Sequence, residues 1–392
     1  MTRIRDIDIL ELGEEGEKSS PWSSTILVLR MVTSDGEIGY GEAPTTLMTR
    51  PVFEEMREVG RVFQNREVEE IRKNYTEFYK HSFYLPVSME STAALSAFEI
   101  ASWDIVGKEF GAPIYNLLGG KVRDSVRAYA NGWYDNSITP QSFLKRAREV
   151  EGMGFTAVKF DPFGPYYDHI EEGEVSNARK IVETLKEHTK LDLLIECHGR
   201  FSANSAIRMA EGLEDLEPFF VEEPVHPDQF VGLKRLRERT DVRIALGERV
   251  LNKNLFLPYF TSDLVDVIQP DVTNVGGIIQ AKESAVLADS FGVEVAYHNA
   301  FGPIQTAATL HLDYNIPNFL IQESFEKFWP KWKKGLVKSG YRLEDGYFSL
   351  SGKPGLGIDI DDRILTDYRT NKMEPFNPEE PPWVVKGTFK KG

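Results

Sequence analysis

The chain is short of cysteine, of long apolar runs and of positive charge, and each shortage removes a class of protein. Its 392 residues include one cysteine, Cys197, so no internal disulfide is expected and the compartment implied is the reducing cytoplasm. No apolar stretch reaches the roughly 20 residues that cross a bilayer. The opening stretch MTRIRDIDILELGEEGEKSS carries acids where a secretory leader has a continuous apolar segment. Neither a membrane nor secretion is expected. Lys and Arg number 46 against 61 Asp and Glu, a formal net charge of −15. A nucleic-acid partner needs a basic footprint, which this balance does not provide. An anionic small molecule would in turn need a local cation or metal to hold it. No Walker loop, GxGxxG turn, HExxH or CxxC is present, so nucleotide-loop and zinc-protease readings lack support.

What the chain does have is acids at the ends of apolar runs. LIECHGR, FVEEP and IALGER place Glu196, Glu222 and Glu248 at equal intervals of 26 residues. One strand, one helix and two short loops occupy about 25 residues in a parallel α/β protein. The spacing therefore predicts three carboxylates on one rim, a set of hard oxygen donors suited to a divalent cation such as Mg2+. Any one of these acids alone would read as a solvated loop residue or a helix cap.

Along the chain, residues 1–45 read as antiparallel strands, with Ser34-Asp35-Gly36-Glu37 as a hairpin turn. Helical patterns fill about 51–118, clearest from Met89 to Lys108, where Leu95, Phe98, Ser102 and Ile105 share one face. From Val126 strand-like runs alternate with amphipathic helices: VRAYAN, TAVKF, DLLIECH, FFVEEP, RIALGE, VDVIQPD, EVAYHN and NFLIQES. Eight such units predict a closed parallel barrel more than an open doubly wound sheet, which lacks its nucleotide-binding turn here. The expected organisation is an α+β unit over 1–125, a barrel over 126–334, and a segment 335–392 that packs back on the first unit.

In a parallel barrel the strand C-termini gather on one face, where active sites lie. Reading the strand ends in order gives Lys159 and Asp161, Glu196 and His198, Glu222, Glu248, Asp271, His298 and Glu323. The i, i+2 pairs face the same way. A carboxylate trio holding Mg2+ can bind a substrate carboxylate and stabilise the enediolate left when an α-proton departs. His298 is the candidate base, with Asp271 on the preceding strand end to fix its tautomer. His198 is placed to protonate a leaving hydroxyl. Lys159 supplies charge for the substrate carboxylate or forms a salt bridge to Glu196 or Asp161. Glu323 hydrogen-bonds the substrate carboxylate if protonated, or pairs with Lys159.

At these residues the chain resembles the enolase superfamily, in its mandelate racemase and muconate-lactonizing branch. The likeness is carried by ASWDIVGKEFGAPIYNLLGG, VKF, VEEP, LGER, QPDVTNVGG and AYHN and covers nearly the whole chain. It implies a modified (β/α)7β barrel under a capping domain built from the N-terminal region and the C-terminal segment. It assigns Mg2+ to Glu196, Glu222 and Glu248, and an Asp–His dyad to Asp271 and His298. IECHGR further resembles the sugar-acid dehydratases, in which the histidine after the metal acid is the general acid, here His198. KFDPFGPYYD, HNAFG and the terminal WVVKGTF are most similar to gluconate dehydratases of archaeal type. The resemblance thus implies a hydro-lyase converting D-gluconate, and D-galactonate, to the 2-keto-3-deoxy acid, in a homo-oligomer. Racemases of the branch carry a second lysine where Asp161 stands, which disfavours an epimerase or racemase. Glu196 replaces the more usual Asp at its metal position. Trp22 in the EKSSPWSS loop is expected to read substrate length, and Arg200 either contacts a sugar hydroxyl or bridges to a metal ligand.

Overall fold

The computed structural model describes residues 2–14, 25–44, 49–81, 83 and 88–370. Trp22 and the terminal WVVKGTF lie outside them.

The first unit is a three-stranded antiparallel sheet of β1 (Ile4–Gly13), β2 (Thr25–Thr33) and β3 (Ile38–Ala43), in sequence order. The expected turn joins β2 to β3, with Gly36 at φ 94°. Helices α1 (Thr49–Phe63), α2 (Ile71–His81) and α3 (Met89–Glu109) follow. Val52, Met56, Val59 and Phe63 of α1 recur at helical spacing and enter the core between helix and sheet. α3 has no polar face: nearly every residue from Ser91 to Gly107 is buried, because it is wedged between this sheet and the barrel. Ser88 caps it, its hydroxyl accepting from the Ser91 N–H at 3.3 Å. A single turn, α4 (Ile114–Leu117), leads into the second unit.

There strands and helices alternate: β4 (Val126–Ala130), α5 (Pro140–Gly152), β5 (Ala157–Phe160), α6 (Glu172–His188), β6 (Asp192–Glu196), α7 (Ala203–Leu213), β7 (Phe220–Glu222) and α8 (Phe230–Arg237). They continue with β8 (Ile244–Leu246), α9 (Leu257–Thr261), β9 (Val267–Ile268), α10 (Gly277–Asp289), β10 (Glu294–Val295), α11 (Pro303–Asn315) and β11 (Gln322–Ser324). β4 to β10 pair in parallel and in order, and β11 pairs with β4. The ring closes where the Leu320 N–H donates to the Val295 carbonyl at 2.8 Å. Eight strands with seven intervening helices form the modified barrel expected from the sequence. Its interior is plugged by one side chain from each strand run: Tyr129, Ala157, Leu194, Phe220, Ala245, Val267, Ala296 and Ile321.

The remainder comprises α12 (Lys331–Leu336), β12 (Val337–Ser339), β13 (Tyr341–Glu344), β14 (Tyr347–Leu350), β15 (Asp359–Ile360) and α13 (Asp362–Asp367). It touches both units. β14 pairs antiparallel with β4 at Tyr347 and Arg127. The Leu356 N–H donates to Asp104 of α3 at 2.9 Å, and the Thr370 N–H to the Glu11 carbonyl of β1 at 2.9 Å. Among the described residues, no helix is long and apolar enough to cross a membrane.

Candidate active site

A strand's period of two dictates the floor of the site. Two residues beyond each plug residue stand Asn131, Lys159, Glu196, Glu222, Gly247, Gln269, His298 and Glu323. Seven of these are polar or charged. The eighth, Gly247, has φ 151°, and a Cβ there would lie 2.7 Å from the Gln269 backbone nitrogen. Glu196 and Glu222 are the last residues of their strands and face each other across the β6–β7 pair. Glu248 lies one step past Gly247, out of this register. The equal spacing of the three acids therefore conceals a difference in where they point.

Lys159 sits at the centre, 1 % exposed. Its Nζ lies 3.1 Å from Glu196 Oε2, 2.7 Å from Glu222 Oε2 and 2.9 Å from Glu323 Oε1. Burial alone would lower its pKa, but Glu222, Glu323 and their neighbours hold it well above the usual lysine range. Of the partners foreseen for Lys159, Glu196 is engaged and Asp161 is not. Glu323 is the ion-pair partner, also accepting from Asn131 Nδ2 and the Asn299 N–H, each at 2.9 Å. Burial raises its pKa; Lys159 and His298 outweigh that and hold it below the usual range.

His298 Nδ1 is 2.6 Å from Asp271 Oδ2. Gln305 Nε2 donates to the same oxygen at 2.8 Å, and the Thr273 N–H and hydroxyl saturate the other at 2.6 and 2.5 Å. Asp271 is thereby fixed, and His298 Nε2 is directed at Glu248 Oε2, 3.1 Å away. Against the lowering effect of burial, Glu248, Asp271 and Glu323 push His298 up to about 10. On the other side, His198 Nδ1 is 3.2 Å from Asp161 Oδ2, and Arg200 Nη2 bonds both Asp161 oxygens at 2.7 Å. Burial opposes the His198 charge, but Glu196 and Asp161 raise its pKa. Arg200 thus pairs with Asp161 rather than with Glu196, Glu222 or Glu248. β6 and β10 are the third and seventh of eight strands, so the two histidines, each with its own aspartate, stand across the barrel mouth from one another.

Among the described residues, no three His, Cys, Asp or Glu side chains form a ready-made metal cluster. Glu196 and Glu222 meet at Lys159, while Glu248 turns to His298. The donor chemistry nevertheless fits a hard cation. Glu222 Oε1 is buried without a hydrogen-bond partner. Burial, then Glu196 and Glu248, push the Glu222 carboxyl well above its usual range, whereas Glu196 is held down to about 2, His198 and Lys159 outweighing its own burial. Two adjacent carboxylates in conflict, one with an unused oxygen, are what a divalent cation would relieve.

Sequence reading missed Asn131 and Gln269, although both end strand runs two residues beyond the plug. Gln269 Nε2 donates to Glu222 Oε2 at 2.5 Å. It also missed two acids of the first unit. Glu42 of β3 accepts from the N–H groups of Ile304 and Gln305, both at 3.1 Å, at the start of α11. Glu99 of α3 does the same for Ile278 and Ile279, at 2.7 and 2.9 Å, at the start of α10. Helix N-termini favour carboxylates, but no local pattern announces contacts made so far along the chain.

Residues 20–119 match the family model for the mandelate racemase / muconate lactonizing enzyme N-terminal domain, and residues 142–364 match that for the enolase C-terminal domain-like family. The chain is 53% identical over 392 residues, all of both chains, to a D-gluconate/D-galactonate dehydratase from Picrophilus torridus. It is 42% identical, over its whole length and 79% of the relative, to a D-gluconate dehydratase from Thermoproteus tenax. A mandelate racemase/muconate lactonizing enzyme from Sulfitobacter superposes with a TM-score of 0.88 at 27% identity, covering 95% of this chain and 97% of that one. With both domains matched and the barrel intact, the chain belongs to the mandelate racemase/muconate lactonizing enzyme family of the enolase superfamily.

Proposed function

We propose that the protein is a hydro-lyase that dehydrates D-gluconate, and also D-galactonate, to 2-keto-3-deoxy-D-gluconate and its galactonate counterpart, using Mg2+. The observation that carries this reading is the pair of His–Asp dyads facing one another across a buried carboxylate cluster, in a chain 53% identical to a relative named for both substrates. Dehydration needs a base at C2 and an acid at the 3-hydroxyl, and the two imidazoles provide one of each.

His298, oriented by Asp271, takes the C2 proton in its neutral form. His198, oriented by Asp161, gives its proton to the 3-hydroxyl, which leaves as water while the electron pair of the former C2–H bond forms the C2–C3 double bond. The enol then takes up a proton at C3 to give the keto acid. Lys159 adds fixed positive charge beside the substrate carboxylate. Mg2+ held among Glu196, Glu222 and Glu248 would supply the charge that makes the C2 proton acidic. A racemase or epimerase reading is disfavoured because position 161, where a second base would stand, is an aspartate engaged by Arg200 and His198. Cys197 is buried and unpaired, consistent with the cytoplasm, and the family resemblance suggests a homo-oligomer.

The test is incubation with each aldonic acid in the presence of Mg2+, with the keto acid quantified. Turnover of D-gluconate is expected; absence of product from every member of a broad diastereomer panel would sink the reading.

A further inference from the structure

The residues directly after two of the three acids, Glu223 and Arg249, have no part in the chemistry above, yet they are ion-paired to each other. Glu223 is 1 % exposed, and Arg249 Nε donates to its Oε1 at 3.2 Å. The pair closes on a single peptide unit, the one joining His198 to Gly199. Its carbonyl, that of His198, accepts from Arg249 Nη2 at 3.2 Å, and its N–H, that of Gly199, donates to the Glu223 carbonyl at 2.8 Å. The backbone here is one the chain would not adopt unaided: φ is 53° at His198, 59° at Gly199 and 41° at Glu223, all in the left-handed region. Gly199 suits this conformation, and a Cβ on it would lie 2.0 Å from Arg249 Nη2, so the guanidinium occupies the space a side chain would need. On its other flank the His198 N–H donates to Glu196 Oε1 at 2.7 Å. The ring direction of His198 thus depends on a backbone turn that Arg249 and Glu223 hold.

We infer that Arg249, carried on Glu223, is a positioning residue for His198, clamping the His198–Gly199 peptide so that the imidazole reaches the leaving hydroxyl. This rests on the reading of His198 as the acid of a sugar-acid dehydratase. It makes the residues that follow Glu222 in VEEP and Glu248 in LGER a device serving the acid, distinct from the proposed metal acids beside them.

The experiment compares two rates on D-gluconate with Mg2+ in D2O: exchange of the C2 proton, which requires the base, and keto-acid formation, which requires base and acid. Arg249→Met removes the clamp. The ratio of exchange to dehydration is expected to rise at least about tenfold over wild type, as general-acid assistance is lost, with exchange itself sustained. Dehydration unchanged, or both rates falling in proportion, overturns the inference; proportional loss is what damage to Glu248 or to the barrel would produce. Should the methionine variant not fold, Arg249→Lys, which keeps a cation for Glu223 but loses the planar fork, is judged by the same ratio. Wild type that forms no keto acid from any aldonic acid overturns the functional reading, and the inference with it. Wild-type turnover with an unshifted variant ratio overturns the inference alone.

Discussion

The two histidines of the site are held in different ways. The His298 side is built on β9 and β10, and each helix that follows, α10 and α11, begins on a carboxylate from the first unit, Glu99 and Glu42. Gln305, whose backbone Glu42 holds, passes that support to Asp271. The His198 side is built on β5 and β6, and the partners named for it, Asp161, Arg200, Arg249 and Glu223, are barrel residues. The His298 side chain is 7 % exposed and that of His198 17 %. His298, the proposed base, is thus locked by the joint between the two units, and His198, the proposed acid, by a turn within the barrel. A base that must take a proton from carbon gains from strict placement, whereas an acid acting on a hydroxyl needs access to it.

This contrast is open to direct attack. The largest effect is expected from the histidines themselves. His198→Asn should lower keto-acid formation by about a hundredfold or more while C2 exchange in D2O persists, and His298→Asn should abolish both. Exchange surviving in the second variant would remove His298 as the base.

Next in size is the support of His298, the proposed base. Gln305→Leu, which frees Asp271 Oδ2 of one donor, should reduce exchange and dehydration together by about 10- to 100-fold, as loss of an outer-shell partner commonly does. If the ratio of the two rates shifts instead, the two sides are not independently held.

The smallest effect is one of stability, within α11. His311 is buried, accepting from the Tyr115 N–H at 3.2 Å with Nε2 3.2 Å from the Leu356 carbonyl, and burial holds its pKa down to about 4. An unfolded histidine titrates at about 6.5, so the unfolded chain takes the proton first. Stability present near neutrality is therefore lost as pH falls below about 6.5, levelling off only near the folded value. At about pH 5 the loss from this residue is about 2 kcal/mol. His311→Gln should shrink the difference in unfolding free energy between pH 7 and pH 5, obtained from denaturant titrations at each pH, by roughly that amount; an unchanged difference would show that His311 does not set it.

Much of the fold was legible because buried parallel strands are short continuous apolar runs, and all eight from VRAYAN to NFLIQES became barrel strands. The helix read from Met89 to Lys108 is α3, within a residue. The site was legible in its inventory, since polar groups at strand ends are conspicuous against those runs. It was less legible in its pairings. Lys159 went to three carboxylates and Asp161 to Arg200 and His198, although both stand on the same face of one strand run. Asn131 and Gln269 escaped notice because an amide at a strand end carries no charge to mark it. Glu42 escaped because its partners lie 262 and 263 residues away.

The three acids show where local reading stops. Order along the chain, apolar runs and a period of two are local properties, and they suffice to bring Glu196, Glu222 and Glu248 to one rim. Spacing counts residues and not register. At β8 the inward position belongs to Gly247, packed against the next strand, so Glu248 emerges beside His298 while Glu196 and Glu222 converge on Lys159. Which carboxylate meets which cation is set by closure of the barrel and by the first unit packed over it, since those partners come from strands and helices far apart in sequence.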